Sequence, residues 1–148
     1  MVVTSEFIES LTKISRKIRT AFNARVTAHG LTYPRARTLL RLVIRERMTQ
    51  SELAFDLELE QATMVRLLDR MEENGLIRRE PDTADRRVKH IVLTEYGREQ
   101  ANLVRSIGEK LREDIFAGIP TEQLQAAITL FDDISTRIGE LEENLSTK

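Results

Sequence analysis

Over the first thirty positions apolar residues return every three to four places: Phe7, Leu11, Ile14, Ile18 and Phe22. That is the spacing of an amphipathic helix, and it predicts one over 5–28. His29-Gly30 should stop it, because glycine accepts the left-handed geometry that closes a helix. Thr32-Tyr33-Pro34 opens a second helix, with proline in the first turn, where its missing N–H is harmless; Leu39, Leu40, Val43 and Ile44 are its expected buried stripe. Thr49 and Glu52 have the T-x-x-E spacing of a capping box, which satisfies orphan amides at a helix start. The helix behind it, 50–57, should bury Leu53, Ala54 and Leu57, with small Ala54 allowing a close crossing. A further helix over 61–74 should bury Met64, Leu67, Leu68 and Met71 and end at Gly75.

The pattern then changes. Leu76-Ile77 and Ile91-Val92-Leu93 read as two short strands around a turn built from Pro81, Asp82 and Thr83. A long helix starts at Thr94-Glu95, with Gly97, Ala101, Val104, Gly108, Leu111 and Ile115 on one side. Gly118-Ile119-Pro120 breaks it, and Thr121 is the expected cap of a last helix. The last stripe is Leu124, Ala127, Ile128, Phe131, Ile134, Ile138, Leu141 and Leu145. The predicted fold is mainly α with a small β-hairpin wing: a winged helix-turn-helix over 34–95, flanked by N- and C-terminal helices over 5–30 and 96–146, all in one domain, 1–148. The terminal stripes are longer than so small a reader can cover, so they predict a homodimer, which would also set two recognition helices on one face of a DNA duplex.

Composition supports this. Charged residues make up 32% of the chain and aromatics 5%, as suits helices with one solvated face. No apolar run is long enough for a membrane span, and acidic residues and lysines interrupt the N-terminal region before a signal-like apolar stretch forms, so a cytoplasmic protein is expected. With no cysteine, a thiolate metal site and a thiol redox switch are excluded. His29 and His90 are far apart and read as structural or exposed, so neither metal nor cofactor is expected. Asp132-Asp133 and Glu142-Glu143 read as a solvated helix face, and no Gly-rich phosphate loop, Ser-centred elbow or HExxH string is present, so an enzyme is not expected.

The net charge of −1 is unfavourable for a nucleic-acid binder, but the charges are unevenly distributed. Residues 1–33 carry +3, 34–95 carry 0 and 96–148 carry −4. Between Arg78 and Lys89 five cations (Arg78, Arg79, Arg86, Arg87, Lys89) face three acids (Glu80, Asp82, Asp85), and a local basic edge can bind phosphates on a neutral chain. Arg66, opposite Met64 and Leu68 on its helix, can reach guanine O6 and N7; its bland alternative is a solvated arginine paired with Asp69. Gln61, Ala62, Thr63 and Val65 lie where the recognition helix would meet DNA. Thr63 offers a hydroxyl to phosphate; Ala62 or Val65 either meets a thymine methyl or fills the helix. Arg87 suits a narrow, electronegative minor groove, while Arg86, Lys89, Arg78 and Arg79 are either phosphate contacts or solvated strand residues.

The segment from Thr49 to Gly97 resembles the DNA-reading domain of the MarR family of bacterial transcription regulators. Its ADRRVKHIVLTEYG run is similar to that family's wing signature, an Asp-x-Arg followed by apolar strand residues and Leu-Thr-x-x-Gly, here Asp85, Arg87, Leu93, Thr94 and Gly97. Within the family, LELEQATMVRLLDRMEENGLIRRE and GIPTEQLQAAITL look most like the SlyA branch. The resemblance implies a homodimer on a pseudo-palindromic operator in double-stranded DNA. It implies that Arg66 is the major-groove arginine, Arg87 the wing arginine in the minor groove, and Asp85 the acid that braces it. It further implies a small aromatic acid where the dimer base meets the reader; Lys13, Arg16, Lys17 and Arg19 lie on the first helix, and a cation near Phe22 or Tyr33 would suit a carboxylate, without fixing any ligand residue. Two positions depart from the pattern: Glu58 stands where the turn between the reader helices usually has glycine, and Ala62-Thr63 stand where the SlyA branch has Pro-Ser. Glu58 and the neutral reader keep open a winged-helix module that binds proteins and not DNA.

Overall fold

A computed structural model of the chain describes residues 2–147. These fall into two compact units, the first ending at Arg112 and the second beginning at Glu113. The first unit holds α1 (Val3–Ala28), α2 (Tyr33–Ile44), β1 (Met48–Thr49), α3 (Gln50–Asp56), α4 (Gln61–Glu73), β2 (Ile77–Pro81), β3 (Lys89–Leu93) and most of α5 (Glu95–Phe116). The second unit is chiefly α6 (Thr121–Ser146), which buries no residue. Among the described residues no helix is long and apolar enough to cross a membrane.

Local chemistry explains most boundaries. Thr32 caps α2 by accepting from the Arg35 amide, with Pro34 in the first turn. The capping box forms in both directions: Glu52 N donates to Thr49 Oγ1 at 3.2 Å, and Thr49 N donates to Glu52 Oε1 at 3.2 Å. The amide of Thr49 and Arg45 hold Glu52 as a carboxylate, with its pKa lowered against the opposing effect of burial. Thr121 does not cap the last helix. It is the first helical residue, behind Pro120, whose ring has no oxygen to offer the free amides.

The core lies between α2, α3, α4 and the sheet, around Leu39, Leu42, Met48, Leu53, Met64, Leu68, Met71, Ile77 and Ile91. Ile44, expected inside, is exposed. Neighbours α1, α4 and β3 cover α2 on several sides, so it buries Ala36, Thr38, Leu39 and Leu42 where a single stripe was expected. Thr38 meets the polar requirement of burial by donating to the Pro34 carbonyl at 2.8 Å.

The sheet has three antiparallel strands in the order β1-β3-β2, one more than the expected ribbon. The pair Met48↔Ile91 and Thr49↔His90 adds β1, a two-residue strand too short to leave a periodicity. Both wing strands are longer than expected, so Pro81 closes β2 and the connecting loop is 82–88. Ile77↔Leu93 and Arg79↔Ile91 share the core face, whereas Arg78↔Val92 and Glu80↔His90 share the other.

The sheet meets α5 through Thr94 and Gly97. Thr94 N donates to Leu76 O at 3.1 Å, Thr94 Oγ1 donates to Gly75 O, and Gly97 N donates to Thr94 Oγ1 at 3.0 Å. Gly97 then lies against the Leu76 backbone, where a Cβ would fall 1.8 Å from the carbonyl oxygen. The Leu-Thr-x-x-Gly pattern is therefore a cap followed by a backbone-to-backbone contact that only glycine permits.

Candidate nucleic-acid interface

The turn between α3 and α4 fixes the recognition helix. Leu59 N donates to Ala54 O at 2.9 Å and Glu58 N to Phe55 O at 3.2 Å, the Schellman closure of a helix C-terminus. Gly30 and Gly75 occupy the matching left-handed position after α1 and α4, and here Glu58 does so with φ 55°. The missing glycine therefore raises the energy of this turn without changing its shape. Gln50 Nε2 donates to Gln61 Oε1 at 3.2 Å, tying the first residues of α3 and α4 together.

On α4, Met64, Leu68 and Met71 point into the core, while Gln61, Ala62, Thr63 and Arg66 are exposed and Val65 is half-buried. Arg66 takes no ion pair among the described residues. The partner that sequence offered it, Asp69, is held by Arg79 Nη2 at 2.8 Å. The other nitrogen, Arg79 Nη1, takes Glu72 at 2.8 Å, and the Arg79 side chain is only 20% exposed. Arg79 is a bracket between β2 and α4 and not a solvated phosphate contact. Arg78 is likewise engaged, by Glu80, which Arg47 also holds at 3.1 Å. These two guanidinium groups, Arg78 first, keep the Glu80 carboxyl below the usual range.

The loop 82–88 and the first residue of β3 present the remaining cations. Arg86 and Arg87 on the loop and Lys89 at the start of β3 are exposed, the Arg87 side chain by 92%. Asp85 braces Arg87 three times: Oδ1 accepts from the Arg87 backbone N at 3.0 Å and from its Nε at 3.2 Å, and Oδ2 accepts from Nη2 at 3.4 Å. Such a bidentate carboxylate–guanidinium contact limits the rotamers of a long side chain. The loop itself is held by Asp82, which the sequence placed only in a turn, and by His90, which it read only as structural or exposed. Asp82 Oδ2 accepts from Ala84 N and Asp85 N, each at 3.0 Å, while Oδ1 meets His90 Nε2 at 2.8 Å. His90 chiefly, then the two amides, lowers the Asp82 pKa. The signal for Asp82 was its place before Ala84 and Asp85, the spacing of an Asx-type turn. His90 gave none, because its partner lies across the loop.

Elsewhere in the first unit a cavity of about 520 Å³ is lined by Arg19, Phe22, Tyr33, Arg37, Glu58 and Arg112, among others. The Phe22 and Tyr33 rings meet edge to face at 6.1 Å, the Arg37 guanidinium lies 5.6 Å from the Tyr33 centroid, and Arg37 Nη1 donates to Leu57 O at 3.3 Å. Of the first-helix cations named from the sequence, Arg19 lines this cavity, together with Arg37 and Arg112 from other helices.

This architecture has solved counterparts. The transcriptional regulator PA3341 is 32% identical, with a TM-score of 0.83, over 90% of this chain and 98% of that one. A Staphylococcus aureus MarR in complex with salicylate and kanamycin is 24% identical, with a TM-score of 0.81 over 95% of each chain. A MarR family regulator from Listeria monocytogenes complexed with a 26mer DNA is 18% identical, with a TM-score of 0.76 over 90% of this chain and 89% of that one. The MarR family model matches residues 31–89, from the end of the first loop to the start of β3. The two-sided capping box, the braced wing, the Thr94–Gly97 junction and the near-complete alignment with a regulator at 32% identity agree, and this chain belongs to the MarR family of transcriptional regulators.

Proposed function

We infer that this chain is a sequence-specific DNA-binding regulator that acts as a homodimer on a pseudo-palindromic operator. The reader is 34–95; the helices in 5–30 and 96–146 form the dimer base. Gln61, Ala62, Thr63, Val65 and Arg66 meet the major groove, Arg87 enters the adjacent minor groove, and Arg86 and Lys89 meet phosphate. The observation that carries this reading is the sorting of the reader's cations. Arg78 and Arg79 are taken by acids that tie them back to the fold, while Arg66 has no ion pair among the described residues and Arg87, braced only by its neighbour Asp85, extends almost fully exposed. The DNA-bound Listeria relative supports it. Placement in the SlyA branch rests on the two sequence segments alone. On this reading the protein is cytoplasmic and has no catalytic activity of its own.

Homodimer formation is supported by apolar residues left exposed among the described residues: Ile8 and Ile14 on α1, and Ile138, Leu141 and Leu145 on α6. The cavity around Tyr33 suits a small aromatic carboxylate, with guanidinium groups for the anion and rings for its apolar body. A salicylate-bound relative supports that assignment, and the Arg37 contact with Leu57 O would carry occupancy to the helix-turn-helix turn.

The test is selection of duplex DNA from a genomic pool by the full chain, followed by titration of Arg66→Ala. A loss of about 1–3 kcal/mol confined to one position per half-site supports direct reading. A uniform loss over all sequences makes Arg66 a phosphate contact, and a failure to enrich any duplex favours the protein-binding module. Sedimentation as a folded monomer at micromolar concentration would overturn the homodimer.

A further inference from the structure

We propose that His90 is a positioning residue of the wing, which through Asp82 holds the 82–88 loop in the conformation that aims Arg87. This rests on the reading that Arg87 contacts DNA.

His90 is well placed as an anchor. It lies on the central strand, paired with Thr49 on one side and Glu80 on the other, and its side chain is mostly buried. Nε2 faces the Asp82 carboxylate at 2.8 Å, whereas Nδ1 is buried without a partner. The hydrogen therefore belongs on Nε2, because an N–H on Nδ1 would be left unsatisfied while a carboxylate accepts on the other side.

Asp82 passes this anchoring outward. Its two oxygens have separate tasks: Oδ1 takes His90, and Oδ2 takes the amides of Ala84 and Asp85. Among the described residues no other side chain binds the backbone of 83–85. The loop base closes through Asp82 N to Val88 O at 2.8 Å and the tip through Val88 N to Asp85 O at 3.0 Å. Asp85, oriented by its own amide, then receives Arg87 through both backbone and guanidinium. The sequence of contacts runs from the buried sheet to the almost fully exposed Arg87. An amide at position 82 cannot reproduce it, because only one of its two polar atoms accepts.

The variants are His90→Leu, His90→Gln, Asp82→Asn and Arg87→Ala, with the last combined with each of the first three. Each is titrated in the full chain against duplex DNA selected by the wild-type protein, at fixed salt. His90→Leu and Asp82→Asn should each weaken binding about three- to tenfold, the range expected when one or two side chains lose their preordering. For Asp82→Asn this sign is opposite to that of simple electrostatics, since an acid near DNA is removed. His90→Gln keeps a donor at similar reach and should recover most of the loss. In the Arg87→Ala background none of the three should matter, because nothing remains to be aimed. Amide exchange at Ala84 and Asp85 should accelerate in His90→Leu and Asp82→Asn, with the β2–β3 ladder unchanged. If His90→Leu does not fold, Asp82→Asn on the exposed loop carries the test alone. If Arg87→Ala weakens binding while Asp82→Asn and His90→Leu do not, the positioning role is overturned and the DNA reading stands. Equal losses with and without Arg87 also overturn it. If Arg87→Ala itself has no effect, the DNA reading fails and the proposal with it.

Discussion

Replacing Gly97 by alanine probes a close approach between backbones. The added Cβ would lie 1.8 Å from Leu76 O and 2.8 Å from Leu76 C, whereas Cβ atoms essentially never come within 3.0 Å of such neighbours. The first turn of α5 and the start of β2 must therefore separate by more than about 1 Å, and since the obstacle is backbone, no rotamer change absorbs it. Separation also strains the bonds from Thr94 to Leu76 O and Gly75 O. Overpacking costs about 1–3 kcal/mol, the two weakened hydrogen bonds about 1 kcal/mol each, and alanine returns about 0.5–1 kcal/mol in a helix, so the net loss should be about 3 kcal/mol. Gly108→Ala, on the same helix, is the control. Its Cβ would meet only Arg112 Nη1 at 3.4 Å and Phe22 Cε2 at 3.8 Å, which is ordinary contact, so it should stabilise by about 0.5–1 kcal/mol. Urea unfolding at matched protein concentrations reads the contrast of about 3–4 kcal/mol between the two, equivalent to roughly ten degrees in Tm. Stabilities within about 1 kcal/mol of each other would refute the close-approach argument.

Four further outcomes are expected. Glu58→Gly should stabilise the protein by about 0.5–1 kcal/mol, because a left-handed residue with a side chain costs about 1–2 kcal/mol and glycine's greater unfolded-state freedom offsets part of that; destabilisation in urea would mean that the Glu58 side chain holds the turn. Asp85→Ala should weaken operator binding although it removes an acid near DNA, whereas Arg79→Ala should lower stability by about 1 kcal/mol and leave the salt dependence of DNA binding unchanged; tighter binding by Asp85→Ala would contradict the brace. Asp82 has a depressed folded-state pKa, so its stabilising contribution is present above its unfolded value and disappears as pH falls through the folded one. The acid limb of stability, from about pH 4 downward, should therefore be shallower in Asp82→Asn than in wild type, as measured by urea midpoints against pH.

What could be read in the sequence was local. Thr49 and Glu52 lie within one turn of helix, and their spacing alone predicts two hydrogen bonds that form. The recognition helix is equally legible, because Met64, Leu68 and Met71 recur at its period. Ile44 was misplaced because a helical stripe assumes one covered side, and α2 is covered on several. Strand β1 was missed because its two residues find their partner over forty positions later. The wing's cations were ambiguous for the same reason: Arg79 meets acids on a different element, and Asp82 finds His90 across a loop. Residue type and spacing thus gave the candidates for the site, but which charges neutralise each other is decided by tertiary neighbours.

The Arg79 bracket has a consequence for the kind of DNA this reader accepts. By clasping Asp69 and Glu72 of α4 from strand β2, it ties helix and wing together like the two arms of a caliper. On the proposed reading, with one arm in a major groove and the other in a minor groove, such a reader would measure the angular phase between them, which is set by local helical twist. Over- or underwound DNA moves one groove out of register even when every base is correct. Binding by such a reader should therefore depend on superhelical density as well as on sequence, and loosening the bracket should blunt that dependence before it erases base preference.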